Sequence, residues 1–322
     1  MLSALRRWFD TESLEAEAAG AVQRAAVPAE SVAAARAIDW WRIVPFVALH
    51  VACFGVLWVG ISPVAVAVAA LSYFVRMFAI TAFYHRYFAH KAFRTSRSLQ
   101  FLFAVLGAAA TQRGPLWWAA HHREHHRHAD QPGDPHRPAE GFIWSHMGWF
   151  LSGKNFATNR ARVRDWVGFP ELVWLNRFDT LVPIAYAASM FALGELLANR
   201  APALGTDGWQ MLVWGYFVST VLLTHATLLV NSLAHVRGQR PFATRDDSRN
   251  NALIALLTLG EGWHNNHHRY AGSARQGFLW WQVDMSYYLL RLMAALGLVW
   301  DLKPVPSAVL QEAPGGRSGA RA

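Results

Sequence analysis

The chain has 322 residues, of which 53% are hydrophobic and only 16% are charged, and this balance indicates a membrane protein rather than a soluble domain. The net charge of +9 does not call for a nucleic acid partner, because basic residues also orient membrane proteins and contact anionic headgroups. Cys53 is the only cysteine, which excludes disulfides and iron–sulfur clusters within the chain.

Residues 1–39 mix arginines, glutamates and alanines without an uninterrupted apolar core. This pattern differs from a secretory signal and predicts a cytoplasmic tail or a short helix. The main domain is expected to span residues 40–306. A disordered tail rich in Gly, Ala and Arg is expected at residues 307–322.

Four apolar runs predict transmembrane helices, at about residues 43–61, 64–84, 178–198 and 211–231. At 1.5 Å per residue, each is long enough to cross a hydrocarbon core of about 30 Å. Short connections join the runs in pairs, so the prediction is two helical hairpins. Arg76 lies inside the second run, where a charge needs a partner or water, and the sequence suggests no role for it.

Two further apolar stretches are not predicted to cross the membrane. Residues 99–110 are too few for a span and favour a buried or interfacial helix. Residues 278–300 carry Asp284 and Arg291 on one helical face among several Trp and Tyr residues. That pattern favours a helix lying in the membrane interface.

Histidines form three clusters outside the apolar runs. His122, His125 and His126 are spaced i, i+3 and i+4, so a helix would project all three from one face. The spacing recurs near the C-terminus in HNNHH, and such imidazole clusters suit iron, zinc or copper. The remaining candidates are His264, His267 and His268, the pair His85 and His90, and His235 just after the fourth run.

These clusters can share one metal centre only if they lie on one side of the membrane. Most lysines and arginines lie in or beside residues 85–177 and 232–306, and only Arg200 lies in a loop within a hairpin. By the positive-inside rule, both segments and both termini are predicted to be cytoplasmic. The expected fold is an all-α membrane protein with four transmembrane helices and a cytoplasmic helical cap.

The motifs HRYFAH, HHREHH and HNNHH, interrupted by two apolar hairpins, resemble the three histidine boxes of the integral-membrane fatty acid desaturases. Within that superfamily the chain is similar to the acyl-CoA delta-9 desaturases, the stearoyl-CoA desaturase family, and their bacterial relatives. ADQPGDPH, GFIWSHMGW and LVNSLAH extend the similarity. It implies oxygen-dependent insertion of a cis double bond into a long-chain acyl-CoA, at a bacterial inner membrane.

The resemblance also implies a non-haem di-iron centre and no catalytic side chain other than the metal ligands. This agrees with the chemistry, because an unactivated methylene is too weak an acid for a side-chain base and requires an oxidant made from O2. Asn231 matches a position that contacts one metal through water. His121, His128, His136 and His146 are not expected to be ligands. The nine implied ligands are His85, His90, His122, His125, His126, His235, His264, His267 and His268. Acceptors for their second nitrogens are expected among Asp130, Asp134, Glu124 and Glu261.

Substrate contacts are expected at two places. Tyr73 and Met77 lie on nearly one stripe of the second run, upstream of His85, and could form the floor of an acyl tunnel. Helix packing explains them equally well. Gln112 and Trp118 match family positions near the acyl entry.

The headgroup and the electron source stay open. Arg94 and Lys154 could bind the phosphates of CoA, although the positive-inside rule explains them as well. Arg113 and Gly114 depart from the animal enzymes, so a phospholipid-bound acyl chain is an alternative substrate. APGG near the C-terminus lacks the histidine of a haem-binding HPGG motif. A separate ferredoxin, rubredoxin or cytochrome b5-like donor with its reductase is therefore expected.

Two other functions fit parts of the pattern. Membrane di-iron hydroxylases and ketolases share the three histidine boxes and would insert oxygen into the product. A metal transporter or sensor would need ligands within the spans, where the sequence offers only His50 and His225.

Overall fold

In this computed structural model the described residues are 8–11, 38 and 40–313. The described part is mostly helical. Its only sheet is a short antiparallel pair, β1 (Arg94–Thr95) with β2 (Val299–Trp300). The predicted N-terminal tail at residues 1–39 lies almost wholly outside the described residues.

The described residues form eleven principal helices. They are α1 (Trp40–Cys53), α2 (Pro63–Ala89), α3 (Arg97–Ala108), α4 (Pro115–His128), α5 (Pro170–Arg177), α6 (Leu181–Arg200), α7 (Gly208–His235), α8 (Ala252–Leu257), α9 (His264–Arg269), α10 (Met285–Ala295) and α11 (Ser307–Glu312). Short helical turns occupy Val56–Val59, Pro138–Glu140, Trp144–Gly148, Trp149–Leu151, Gly153–Asn155, Arg160–Arg162 and Pro202–Leu204.

Three of the described helices, α2, α6 and α7, are long and apolar enough to cross a membrane. They contain most of the predicted runs 64–84, 178–198 and 211–231. The first predicted run, 43–61, forms the shorter apolar helix Ile43–Val59, which a turn at Phe54 and Gly55 interrupts. A fourth span therefore remains a prediction.

Two of the three long helices, α2 and α7, begin at a side-chain cap. Ser62 Oγ accepts a hydrogen bond from Ala65 N at 3.1 Å, and Pro63 occupies the first turn of α2. The Asp207 side chain accepts from Gln210 N at 2.8 Å at the start of α7. These caps satisfy backbone N–H groups that have no partner within the helix.

The C-terminal half of α2, Ala79–Ala89, is a π-helix. Its wider turns join residues five apart, as in the hydrogen bond of 3.2 Å from His90 N to His85 O. In an α-helix two residues five apart would face different sides. The π-helix therefore brings the two histidines of HRYFAH, His85 and His90, to one side of α2.

Residues 99–110 lie mainly in α3, which has 12 residues and is too short to span, as expected. The stretch 278–300 differs from the prediction, because only Met285–Ala295 is an α-helix. Asp284 does not share an exposed face with Arg291; it caps α10 and is fully buried. Trp280, by contrast, is 89% exposed, as an interfacial segment would require.

The disordered C-terminal tail was predicted to begin at too low a residue number. Residues from Ser307 were expected to be disordered, but Ser307–Glu312 forms α11. Val309 packs in a buried cluster with Phe242 and Phe278, and this apolar contact explains why the helix forms. Residues 314–322 lie outside the described part.

Arg76 is buried within α2 and has only neutral partners among the hydrogen bonds of the described residues. Its guanidinium donates to Thr220 Oγ1 at 2.7 Å and to Ser219 Oγ at 2.5 Å, both on α7. It also donates to Ala109 O and Ser72 O, each at 3.1 Å. These acceptors replace the water that a charge at this depth would otherwise need.

Candidate metal centre

Four helical segments converge on one buried cluster of imidazoles. The π-helical end of α2, the last turns of α4, the end of α7 and the short helix α9 each contribute histidines to it. On α4 and α9 the i, i+3, i+4 spacing projects the histidines from one face, as expected.

The nine histidines of the predicted ligand set fall into two groups, in each of which the nitrogen atoms lie within 4.8 Å of one another. The five-histidine group contains His85, His90, His122, His126 and His267. The four-histidine group contains His125, His235, His264 and His268.

The nitrogen spacing within both groups fits ligands of a shared ion. Two nitrogens bound at right angles, each 2.0–2.1 Å from one metal, would be about 2.9 Å apart. The Nε2–Nε2 distances are 3.0 Å for His85 with His267 and 2.8 Å for His90 with His122. In the other group His235 and His264 are 3.0 Å apart. The described residues therefore offer places for two metal ions.

Most of the nine imidazoles favour the neutral form that binds a metal. Burial, reinforced by the neighbouring imidazoles, lowers the pKa of six of them well below the usual range. Neutral imidazoles can bind a metal without first losing a proton. The six are His90, His122, His126, His264, His267 and His268.

Carboxylates surround the cluster and contact the second ring nitrogens. The Nδ1 atoms of His125 and His268 lie 3.0 Å from Asp134 Oδ2 and 2.9 Å from Asp246 Oδ2. Burial lowers the pKa of His125, but the Asp134 carboxylate raises it above its ordinary value. A proton shared with the carboxylate at Nδ1 leaves Nε2 free to face the metal.

The same arrangement orients two more of the histidines. His235 Nδ1 lies 3.0 Å from Asp130 Oδ1, and His85 Nδ1 contacts Glu261 Oε2. Burial raises the pKa of Glu261, but His85 and Arg86 lower it by a larger amount. The net shift is downward, which favours the ionised carboxylate.

Three of the four predicted acceptors, Asp130, Asp134 and Glu261, thus contact a cluster histidine. Glu124 instead contacts Arg162 and His128, away from the ligand nitrogens. The sequence analysis missed Asp246, which lies on a loop far from any histidine box in the sequence. It also missed Gln276, whose Nε2 lies 3.2 Å from His85 Nδ1.

The four histidines that were not expected to be ligands have other contacts. His121 Nδ1 lies 3.0 Å from Trp117 O, and burial lowers the pKa of His121 to about 4. His136 approaches Asp134 and His125, a third arrangement that could hold a metal, although it shares His125 with the four-histidine group. His128 contacts Glu124, and His146 Nε2 lies 2.9 Å from His225 Nδ1.

A cavity of about 820 Å³ leads to the five-histidine group. Its walls come mainly from α1, α4, α6 and α7 and are mostly apolar. Gln112, Trp118, His122 and Asn231 all line it, so the structure brings three predicted substrate or metal contacts beside a predicted ligand. Gln112 Nε2 also donates to Thr227 Oγ1, another lining residue, at 3.1 Å.

The other predicted substrate contacts do not line this cavity. Tyr73 donates to Leu257 O, and Met77 is buried with its Sδ 4.0 Å from Thr227 Oγ1, behind the wall. Arg94, on β1, is exposed and pairs with Asp301. Lys154 is exposed in the turn Gly153–Asn155.

Arg113 is the cation that lines the cavity. It donates to Asp179 at 2.9 Å, and its Nη2 is buried without a hydrogen-bond partner among the described residues.

Comparison with known proteins gives a consistent result. A family model described as fatty acid desaturase matches residues 61–300. The palmitoyl-monogalactosyldiacylglycerol delta-7 desaturase of Arabidopsis thaliana is 41% identical over 74% of this chain. The sn-1 stearoyl-lipid 9-desaturase of Anabaena variabilis is 35% identical over 83% of this chain, and the acyl-CoA C20 Delta5-desaturase of Anemone leveillei is 38% identical over 72%.

The relatives differ in how much of their own length is matched. The match covers 62% of the Arabidopsis protein, which is less than two thirds. It covers 94% of the Anabaena protein and 71% of the Anemone protein.

Proposed function

Because the chain belongs to the fatty acid desaturase family, we propose that it inserts a cis double bond at carbon 9 of a long acyl chain, using O2 and two iron ions. The observation that carries this proposal is the pair of buried histidine groups beside an apolar cavity that reaches His122.

The reaction needs an oxidant that side chains cannot supply. When bound, two irons would provide it by reacting with O2 and electrons from outside the chain. The protein would contribute the ligands, their orientation and a dry cavity. The nine histidines would hold the ions, while Asp130, Asp134, Asp246 and Glu261 would keep the imidazole rings turned toward them. We infer that Asn231, which lines the cavity, contacts one ion through water.

The cavity suits a long, flexible apolar chain. Its volume of about 820 Å³ lies within the usual range for ligand pockets. Trp118 stacks on His122, with ring centroids 5.0 Å apart. We infer that Trp118 and Gln112 hold the acyl chain against the ligand face of α4 and so select the carbons that react.

The headgroup has two candidates. An acyl-CoA is the first, and Arg113, which lines the cavity, is a better candidate for a phosphate contact than Arg94 or Lys154, which do not. A lipid-bound acyl chain is the second. Two observations favour it. Several relatives are named as acyl-lipid desaturases. Val44 and Ile184, on two of the proposed membrane helices, line the cavity while half exposed, so the cavity could open toward lipid.

We place the enzyme in a membrane with four spans in two hairpins, and with the cap at residues 85–177 and 232–306 in the cytoplasm. A bacterial inner membrane is the proposed location. Electrons are proposed to come from a separate ferredoxin, rubredoxin or cytochrome b5-like carrier with its reductase.

The test is the fatty acid profile of an aerobic host that lacks its own desaturase and expresses this chain. We expect a new delta-9 monoene, located by mass spectrometry. His264→Ala should abolish it and reduce bound iron below about two per chain, because this residue belongs to the four-histidine group. His128→Ala is the control, since this histidine contacts Glu124 and not the cluster.

Each other outcome has a distinct meaning. A hydroxylated product carrying label from ¹⁸O₂ would replace the desaturase by a hydroxylase. Failure of the purified protein to bind iron would refute the di-iron proposal itself. Products found first on acyl-CoA or first on membrane lipid after a short labelling pulse would decide the headgroup.

A further inference from the structure

A loop rich in arginine covers the four-histidine group. This arginine loop, residues 237–249, contains four arginines and two aspartates and follows the end of α7 directly. Arg237, Arg240 and Arg245 are exposed. Asp246 contacts His268, and Asp247, although 65% exposed, pairs with Arg240 at 3.0 Å. The positive charge at the surface of the loop is therefore carried mainly by Arg237 and Arg245.

The two aspartates connect the loop to the cluster. Asp246 Oδ2 lies 2.9 Å from His268 Nδ1. The backbone N–H of Asp247 donates to Asp130 Oδ2 at 2.6 Å, and Asp130 in turn contacts His235 Nδ1. Two short chains of bonded groups therefore lead from the surface of the loop to two imidazoles of the four-histidine group.

A further arginine extends the positive surface. Arg137 Nε donates to Asp130 O at 2.9 Å, and Asp130 accepts from the backbone of Asp247, which places the Arg137 side chain beside the loop. The loop together with Arg137 is called the arginine surface below.

The arginine surface lies apart from the substrate cavity. The cavity reaches the cluster at His122, in the five-histidine group, and none of the described residues beyond Asn231 lines it. A molecule bound at the arginine surface would thus leave the cavity open to an acyl chain.

We propose that the arginine surface binds an acidic one-electron carrier protein, whose electrons enter through Asp246 with His268 and through Asp130 with His235. This inference rests on the proposed function. In each turnover two carrier molecules lose one electron each. These two electrons, two protons, O2 and two hydrogens from the acyl chain yield two molecules of water and one double bond.

The chemistry of the surface favours a protein over a lipid headgroup. Guanidinium groups bind carboxylates with two parallel hydrogen bonds, and complementary charge speeds the encounter of two proteins. Anionic lipid would also bind arginines, but it would gain nothing from carboxylates that join the surface to metal ligands.

The test uses the purified, iron-loaded protein in detergent and compares Arg237→Glu/Arg245→Glu with the wild type. The probes are a plant-type [2Fe–2S] ferredoxin and the soluble domain of cytochrome b5, both acidic. Calorimetry of the oxidised carrier measures binding without turnover. We expect the variant to bind at least tenfold more weakly at low salt, and the difference to shrink as salt screens the charges. Arg94→Glu, an exposed arginine on β1 outside this surface, should bind like the wild type.

Turnover assays separate this inference from the proposed function. With a small-molecule reductant the variant and the wild type should form the double bond equally fast, whereas with limiting carrier the variant should be slower. If the wild type forms no double bond even with the small reductant, the proposed function fails while the binding result still stands.

Two results would overturn the inference. The first is wild-type protein that shows no saturable, salt-dependent binding of either carrier. The second is a variant that keeps its carrier affinity but loses sedimentation with anionic phospholipid vesicles, which would assign the arginine surface to lipid headgroups. Arg237→Gln/Arg245→Gln repeats the comparison without charge reversal, should the glutamates disturb folding.

Discussion

Breaking the buried ion pair between Arg86 and Asp284 should destabilise the protein more than breaking an exposed pair of the cap. Two parallel hydrogen bonds of 2.9 and 3.1 Å join the side chains, which are 1% and 0% exposed. Asp284→Ala would leave the guanidinium partly unpaired in the protein interior, at a cost of about 3–5 kcal/mol. It would also remove the cap that accepts from Tyr287 N, worth about 1 kcal/mol.

The expected loss is therefore about 4–6 kcal/mol, or a fall of roughly 10 °C or more in the thermal unfolding midpoint measured in detergent. Arg94→Ala is the control, because Arg94 pairs with Asp301 at 3.4 Å and both side chains are more than half exposed. Such a pair contributes about 0–1 kcal/mol. Equal midpoints for the two variants would refute the assignment of Asp284 to a stabilising buried pair.

Other predictions test the centre and the cavity. Asp134→Asn should weaken iron binding roughly 10- to 100-fold in a chelator competition, because Asp134 orients His125, whereas Glu124→Gln should not. Met77→Ala should shift the products toward longer chains, because Met77 lies behind the lining residue Thr227. The equally buried Met211→Ala should leave chain length unchanged, and an unchanged profile for both variants would make Met77 a packing residue.

Local patterns in the sequence predict much of the candidate site. The i, i+3, i+4 spacing on α4 and α9 requires only that each segment be helical, so the faces of these two clusters could be assigned without knowing the fold. The apolar runs likewise predict α2, α6 and α7, because burial in lipid demands a long apolar helix.

Features that depend on distant contacts could not be predicted. Asp246 contacts His268 only because the arginine loop folds back over α9, and no motif marks it. Arg76 finds its acceptors on α7 and at Ala109, so its partners are fixed by helix packing rather than by spacing. The approach of His85 to His90 depends on a π-helix, which hydrophobic periodicity does not reveal.

Arg86 illustrates why a count of charges can mislead. By sequence it belongs to the basic residues that orient the cap, yet it is buried and donates to both Glu261 and Asp284. Glu261 also contacts His85, so carboxylate, guanidinium and carboxylate follow one another from a predicted metal ligand to the start of α10. Burial raises the pKa of Glu261, but His85 and Arg86 together lower it by a larger amount, so Arg86 supports the ionised form that accepts a hydrogen bond from His85. The arginine thus acts in the interior, where it helps to keep the carboxylate beside His85 ionised and joins that carboxylate to Asp284 at the start of α10.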